Sequence, residues 1–321
     1  MDMIHIRAVS PPDLTDEVVA LLSDDPCVLD LIVLRDVARN PDGDSIACDV
    51  LTGAANDVLR RLRAVRLDQR GSLVIEPVDM AFSGRAAEGG RRELGPLSRA
   101  PVWEQVEARI RAGGRYPPSF YLYLVVAGLI GSVGIVTNSP ILIVAAMVVG
   151  PEYGAIVSVA LGIDRSHPAM VRGGLAALGA GFLLTMAVTF LFALFIRGFG
   201  LQSEAFDQGL RPVSHLIDTP NFLSVAVAVL AGIVGIVSLT EARTSALLGV
   251  FISVTTIPAA ADVAVSTAFT SWSDVRGSAI QLVVNILVLI VVGTAALKTQ
   301  RVVWRRVGLR RDRDRRLARG D

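Results

Sequence analysis

Residues 138–163 read N-S-P-I-L-I-V-A-A-M-V-V-G-P-E-Y-G-A-I-V-S-V-A-L-G-I. The stretch is apolar and long enough to cross a bilayer, since a spanning helix takes about 20 such residues. At its midpoint stands Gly150-Pro151-Glu152. A proline inside a helix removes a backbone N–H and its ring clashes with the preceding turn, so the helix breaks or kinks there. A carboxylate at that depth costs roughly 3 kcal/mol on insertion scales. Irregular backbone at membrane depth persists only where protein or a wet cavity surrounds it. The stretch therefore reads as the interior of a polytopic membrane protein, and as the first place to look for a functional site.

The composition agrees with that reading. Of the 321 residues, 52% are hydrophobic and 19% charged, with a mean hydropathy of +0.54. An average soluble domain carries about 25% charged residues. The net charge of +1 conceals a segregation, with charges crowded into the first 115 residues and about the last 20. That pattern predicts a soluble domain, a membrane domain and a basic tail. Cys27 and Cys48 lie in the polar part with no His or Cys cluster beside them, so neither a zinc site nor a disulfide framework is expected. Residues 1–6 carry no basic leader followed by an apolar run, so no cleaved signal peptide is expected.

Residues 1–80 read as a small α+β domain. Ile4, Ile6 and Ala8 alternate as in a strand, 11–22 has helical spacing, and 28–37 is a second strand. Asn40-Pro41-Asp42-Gly43-Asp44 is a turn signal leading into a strand over 45–51, followed by a helix over 54–67 and a strand over 72–78. The order βαββαβ is that of a ferredoxin-like unit, suited to docking, oligomerisation or ligand sensing. Residues 81–115 form a linker with an interfacial helix near 101–111, where Val102, Val106 and Ile110 share a face.

Six apolar segments follow, over 119–137, 139–163, 168–197, 221–240, 244–270 and 277–297. Arginines at 109, 111 and 115 precede the first, and an arginine-rich tail over 298–321 follows the last. By the positive-inside rule both termini belong in the cytoplasm, with six crossings of the cytoplasmic membrane, or four if two segments are re-entrant. Such a tail is a topological anchor or a contact for anionic headgroups.

The chain also resembles itself. Residues 127–134, A-G-L-I-G-S-V-G, are matched by 231–238, A-G-I-V-G-I-V-S, and each is followed by a segment interrupted by proline. The interruptions are Gly150-Pro151-Glu152 and Thr255-Thr256-Ile257-Pro258. Three spans per half make the halves inverted repeats, and Gly/Pro-broken segments at matching positions mark a carrier's binding site. Exposed half-helix N–H groups suit an anion and freed carbonyls suit a cation.

Glu152 is the leading candidate, as proton carrier, cation ligand or a structural acceptor for backbone freed by Pro151. Asp262, one turn beyond Pro258, is the second acid and is expected near Glu152. Asn138, Ser139, Thr255 and Thr256 are small polar groups read as lying beside the breaks, able to contact substrate or to satisfy backbone. Asn285, midway along the last segment, suits a bond between helices. Gly128, Gly131, Gly134, Gly173, Gly174, Gly232 and Gly235 read as close-packing positions. His5, His167 and His215 are scattered, no Walker loop is present, and no nucleophile–base pair appears. No enzyme activity, cofactor, metal or nucleic-acid partner is expected.

Three pieces resemble one known family: 146–151 (A-M-V-V-G-P), 249–258 (G-V-F-I-S-V-T-T-I-P) and Asn285 in the last segment. They are similar to the hydrophobic-domain membrane proteins grouped as domain of unknown function 389. Met147 and Pro151 keep that family's Met-x-x-x-Pro spacing, Pro258 matches its first later proline, and Asn285 its asparagine. The family's second proline is Ala259 here, and Glu152 stands where an apolar residue is common. The resemblance covers roughly 80–297 and implies a membrane protein without an assigned activity. Two function classes follow: a secondary carrier or channel-like protein for a small solute or ion, and a non-transporting membrane sensor or scaffold. A homo-oligomer in the lipid bilayer is expected for either.

Overall fold

The alternation at Ile4, Ile6 and Ala8 places three apolar side chains on one face of strand β1 (Met3–Ser10), and all three are buried. The computed structural model describes residues 3–78, 100–209, 215, 217, 221–240 and 256–319, with 307–319 described by backbone only. The chain divides into two units, residues 1–106 with 301–321, and 107–300.

In the first unit β1 is followed by α1 (Pro12–Ser23), β2 (Val28–Arg39), β3 (Asp42–Leu51), α2 (Thr52–Ala64), the short α3 (Leu67–Arg70) and β4 (Ser72–Val78). The sheet is antiparallel in the order β2-β3-β1-β4, with Ile6 opposite Cys48 on one side and Ile75 on the other. In α2 the apolar side chains at Ala54, Ala55, Val58, Leu59 and Leu62 form one stripe, and all are buried against the sheet core. Strand β2 runs two residues past the expected end because Ala38 and Arg39 pair with Gly43 and Asp42. A Cβ at Gly43 would lie 2.3 Å from the Ser10 carbonyl oxygen, so only glycine fits that turn. As the edge strand, β2 carries two register shifts beside Asp30 and Asp36, whose φ values are 51° and 55°. Bulges of this kind discourage edge-to-edge pairing. The Asp36 N–H donates to Asp44 Oδ1 at 2.8 Å and, with the Thr15 hydroxyl, holds the Asp44 carboxyl below its ordinary range.

Cys27 and Cys48 are both buried in this core, and burial pushes the Cys48 thiol up to about 12. The thiolate is the reactive form. Native full-length protein should therefore resist iodoacetamide at mildly alkaline pH at Cys48, and label there once urea is added. Rapid labelling of Cys48 in the native state would contradict its burial.

The second unit is helical. Helix α4 (Trp103–Gly113) is followed by α5 (Pro118–Val136), α6 (Pro140–Val149), α7 (Glu152–Asp164), α8 (Pro168–Phe199), α9 (Glu204–Asp207), α10 (Phe222–Thr240), α11 (Ile257–Ala268) and α12 (Trp272–Arg319). Three tight connections share one device. Asn138, Ser166 and Thr270 adopt left-handed φ values of 51°, 55° and 62°. The next N–H then closes back on the helix, from Ser139 to the Gly134 carbonyl at 2.8 Å, His167 to Gly162 at 2.7 Å and Ser271 to Ser266 at 2.9 Å. These are Schellman closures, and Pro140 and Pro168 then begin the next helices where a missing N–H costs nothing.

Asn138 and Ser139 are therefore turn residues at the start of α6, about 15 Å along that helix from the break, rather than beside it. Helix α12 begins five residues before the expected segment and continues to Arg319, so the basic stretch is helical. Arginine is a good helix former, and no proline interrupts the run.

Among the described residues, four helices are long and apolar enough to cross a membrane: α5, α8, α10 and α12. Helices α6 and α7, bent by 53° at their junction, pass the same test only as a pair, as one broken span or a re-entrant loop. The sequence predicts six. The sixth, 244–270, is represented by the 12 residues of α11, since 241–255 lie outside the described residues. Ile141, Leu183, Leu191, Leu230 and Val291 project outward, each more than half exposed. A belt of this kind suits lipid rather than water.

The helices sort into two ends. At one, Arg165 at the end of α7 pairs with Glu107 of α4. At the other, the Ser203 hydroxyl donates to the Val136 carbonyl at 2.9 Å. There too Arg197 donates to the Ala268 carbonyl at 2.5 Å and lies 5.8 Å from the Phe269 ring centroid. The C-termini of α8 and α11 thus meet, with a cation on the negative end of α11. A Cβ at Gly131 would lie 3.1 Å from Ala261 Cβ and 3.6 Å from Ala146 Cβ, so α5 is wedged between α6 and α11. The close-packing reading holds for Gly128, Gly131, Gly134, Gly174 and Gly232, but Gly173 meets nothing within 4 Å and faces outward.

Candidate functional site

Gly150 is extended, at φ −65° and ψ 125°, and Pro151 caps the start of α7, so the span breaks where the proline removes a donor. Glu152 is the first residue of α7 and is 1% exposed. Thr256 caps α11, is fully buried, and has Pro258 in the helix's first turn. The Thr256 hydroxyl donates to Glu152 Oε1 at 2.8 Å, across 104 residues of sequence. Helices α7 and α11 therefore begin at one carboxylate. Each helix start is equivalent to roughly half a positive charge, so the acid sits where a negative charge is favoured.

Glycine contacts give the depth. Along α5, Leu124 lies against Gly181, while Gly128 lies against Thr185 and Thr189, so α5 and α8 run parallel. Gly134 meets Ile143 and Gly131 meets Ala146, so α6 runs the other way. Helix α11 runs with α8, since their C-termini meet. Three residues from Gly131 is about 4.5 Å along each axis. That step brings Gly128, Val149, Pro258 and Thr185 to one level, beside Glu152.

Thr185 and Thr189 were not singled out by the sequence reading. Both are 0% exposed, and their hydroxyls have no hydrogen-bond partner among the described residues. A Cβ at Gly128 would lie 2.4 Å from Thr185 Cγ2 and 2.8 Å from Thr189 Oγ1, so both threonines face that notch. The signal in the sequence is Thr-x-x-x-Thr, one helical turn apart in an otherwise apolar run.

Asp262 lies about 9 Å farther along α11 than Thr256. It is fully buried and accepts from the Ser278 hydroxyl of α12 at 2.6 Å and the Ser266 hydroxyl at 3.4 Å. Thr256, rather than the expected Asp262, gives Glu152 its cross-chain hydrogen bond. Asn285 accepts from Gln281 Nε2 at 3.0 Å along α12, and Gln281 in turn accepts from Ser224 of α10 at 3.3 Å. Ser278, Gln281 and Asn285 share one face of α12, at spacings of three and four residues. Thr255 lies outside the described residues. Glu152, Pro151, Gly150, Thr256 and Pro258 are thus brought together. Asp262 and Asn285 belong to a second polar cluster, and Asn138 and Ser139 to neither.

No curated protein and no solved structure matches the chain. The family model described as Domain of unknown function (DUF389) matches residues 147–291. That segment begins within α6 and ends within α12, enclosing Glu152, Thr256, Asp262 and Asn285. It is the family that the Met147–Pro151 spacing resembles, and the match over residues 147–291, together with the apolar helices, fits an integral membrane protein.

Proposed function

We propose that the helical unit is a secondary carrier of a small solute or ion, with its site where α7 and α11 begin. The observation that carries this reading is the Thr256–Glu152 hydrogen bond, which joins two half-helix starts at a buried acid. Lipid does not tolerate an acid or broken backbone, and both recur where carriers bind their cargo. The pairing of α7 with α11 supports two inverted halves, α5–α8 and α10–α12, and six crossings with both termini in the cytoplasm of an inner-membrane protein. The sheet order, with β1 between β3 and β4, supports a ferredoxin-like regulatory domain. Catalysis is not part of the reading.

Reconstitution of the full chain in liposomes, with solute and lumenal pH followed together, tests it. Glu152→Gln keeps a hydrogen-bond acceptor for Thr256 and removes the titratable carboxyl. Its proton movement should fall at least about tenfold, the equivalent of about 1.4 kcal/mol. Equal proton-linked flux from wild type and variant removes Glu152 from the mechanism.

A further inference from the structure

We propose that the cargo is a small monovalent anion that exchanges with the Glu152 carboxylate, entering when Glu152 takes a proton. The proposal rests on the carrier reading and adds the class of substrate and the coupling ion.

The argument begins with the sign of the groups that converge. The starts of α7 and α11, helices of 13 and 12 residues, together amount to about one positive charge. Thr256 adds a hydroxyl donor at 2.8 Å from the acid. Thr185 adds a further hydroxyl at about that level and Thr189 another one turn farther along α8, both 0% exposed and with no hydrogen-bond partner among the described residues. A buried donor left unsatisfied costs about 1–3 kcal/mol, which an anion accepting from it offsets. About one positive charge balances one anion at a time. The Glu152 carboxylate fills that role itself, so it competes with an external anion. A proton on Glu152 neutralises the resident charge and leaves the two helix starts and the hydroxyls of Thr256 and Thr185 for the incoming anion. Anion and proton then cross together, and deprotonation of Glu152 on the far side expels the cargo. A cation would face both positive helix ends. The closeness of Gly128 to both threonines limits the cargo to a few atoms.

Other titratable or charged groups on the helices around Glu152 are Tyr153 and Asp164 on its own helix, Asp262 on α11, Tyr121 and Tyr123 on α5, and Arg172 and Arg197 on α8. Glu107 of α4 and Arg165 pair at the far end of α7, and α6 carries no titratable residue. Asp262 is the other buried acid among these, so the test includes it.

The full chain is placed in liposomes containing a pH dye, with inward gradients of nitrate or chloride, and separately of sodium or potassium. Wild type should carry nitrate or chloride inward and acidify the lumen. Glu152→Gln should pass the anion while lumenal acidification falls at least about tenfold. Thr185→Val and Thr189→Val, close in shape, should each raise the half-saturating anion concentration about tenfold, equivalent to about 1.4 kcal/mol. Binding gives a readout without flux. Nitrate should raise the melting temperature of detergent-purified protein more at acid than at alkaline pH. That pH dependence should vanish in Glu152→Gln and survive in Asp262→Asn. Sodium or potassium flux without anion flux overturns the anion proposal and leaves the carrier reading standing. Nitrate stabilisation with unchanged pH dependence in Glu152→Gln also overturns the exchange. Folded protein that moves none of these ions and gains no stability from nitrate overturns both readings.

Discussion

Gly128→Leu is expected to lower the melting temperature of the detergent-purified protein by about 6–12 °C, while Gly173→Leu leaves it within about 2 °C. Both glycines lie in long helices of the second unit, yet their surroundings are opposite. A Cβ at Gly128 would fall 2.4 Å from Thr185 Cγ2 and 2.8 Å from Thr189 Oγ1, deep inside van der Waals contact. Both threonines are fully buried, and Leu124 of α5 already fills the space against Gly181 one turn earlier. No rotamer of leucine avoids α8, so the two helices must separate. Overpacking of this kind costs up to about 3 kcal/mol, and each kcal/mol is about 2–4 °C for a unit of this size. Gly173 has nothing within 4 Å, and a leucine there adds apolar surface that lipid accepts. Equal melting temperatures for both variants would show that α5 and α8 do not approach as described.

The second large effect concerns Glu152 itself. Glu152→Ala should destabilise the helical unit by about 1.5–3 kcal/mol, the range for a hydrogen bond to a charged group. It leaves the Thr256 hydroxyl without its acceptor and removes the negative charge from two positive helix starts. Glu152→Gln keeps an oxygen for Thr256 in nearly the same volume, and should cost less than about 1 kcal/mol. The ordering wild type, Gln, Ala is the informative result, read from thermal melts with a reporter in α7. Glutamine as damaging as alanine would mean that charge alone, and not the hydrogen bond, joins the half-helices. Alanine without cost would mean that the Thr256 contact holds nothing in place. The mild effect of glutamine on folding also makes that variant usable in the flux and binding tests.

Much of the site's local structure was legible beforehand because it is governed by near neighbours. Pro151 breaks its span at the predicted place, since a missing N–H and a ring clash act on the same helix. Glu152 reads as buried from hydropathy alone, and it is 1% exposed. The α2 stripe and the strand alternation of β1 likewise follow from period. Asn138 and Ser139 were misplaced for a local reason as well. Asn-Ser-Pro is the end of a Schellman turn, and its backbone N–H groups close a helix end ten residues before the break.

Residue order along the chain therefore determined the four strands and the main helices of the described regions, where one apolar segment breaks, and which acid is withdrawn from water. These depend on propensity, turn chemistry and hydropathy, which act over a few residues. Tertiary structure decided that Thr256 meets Glu152 from 104 residues away, that Thr185 and Thr189 look onto Gly128, and that Gly173 faces outward while Gly174 is packed. Those outcomes depend on which helices touch and at what rotation about their axes. Many apolar helix faces are alike in hydropathy, so only the close packing of the assembled bundle selects among them.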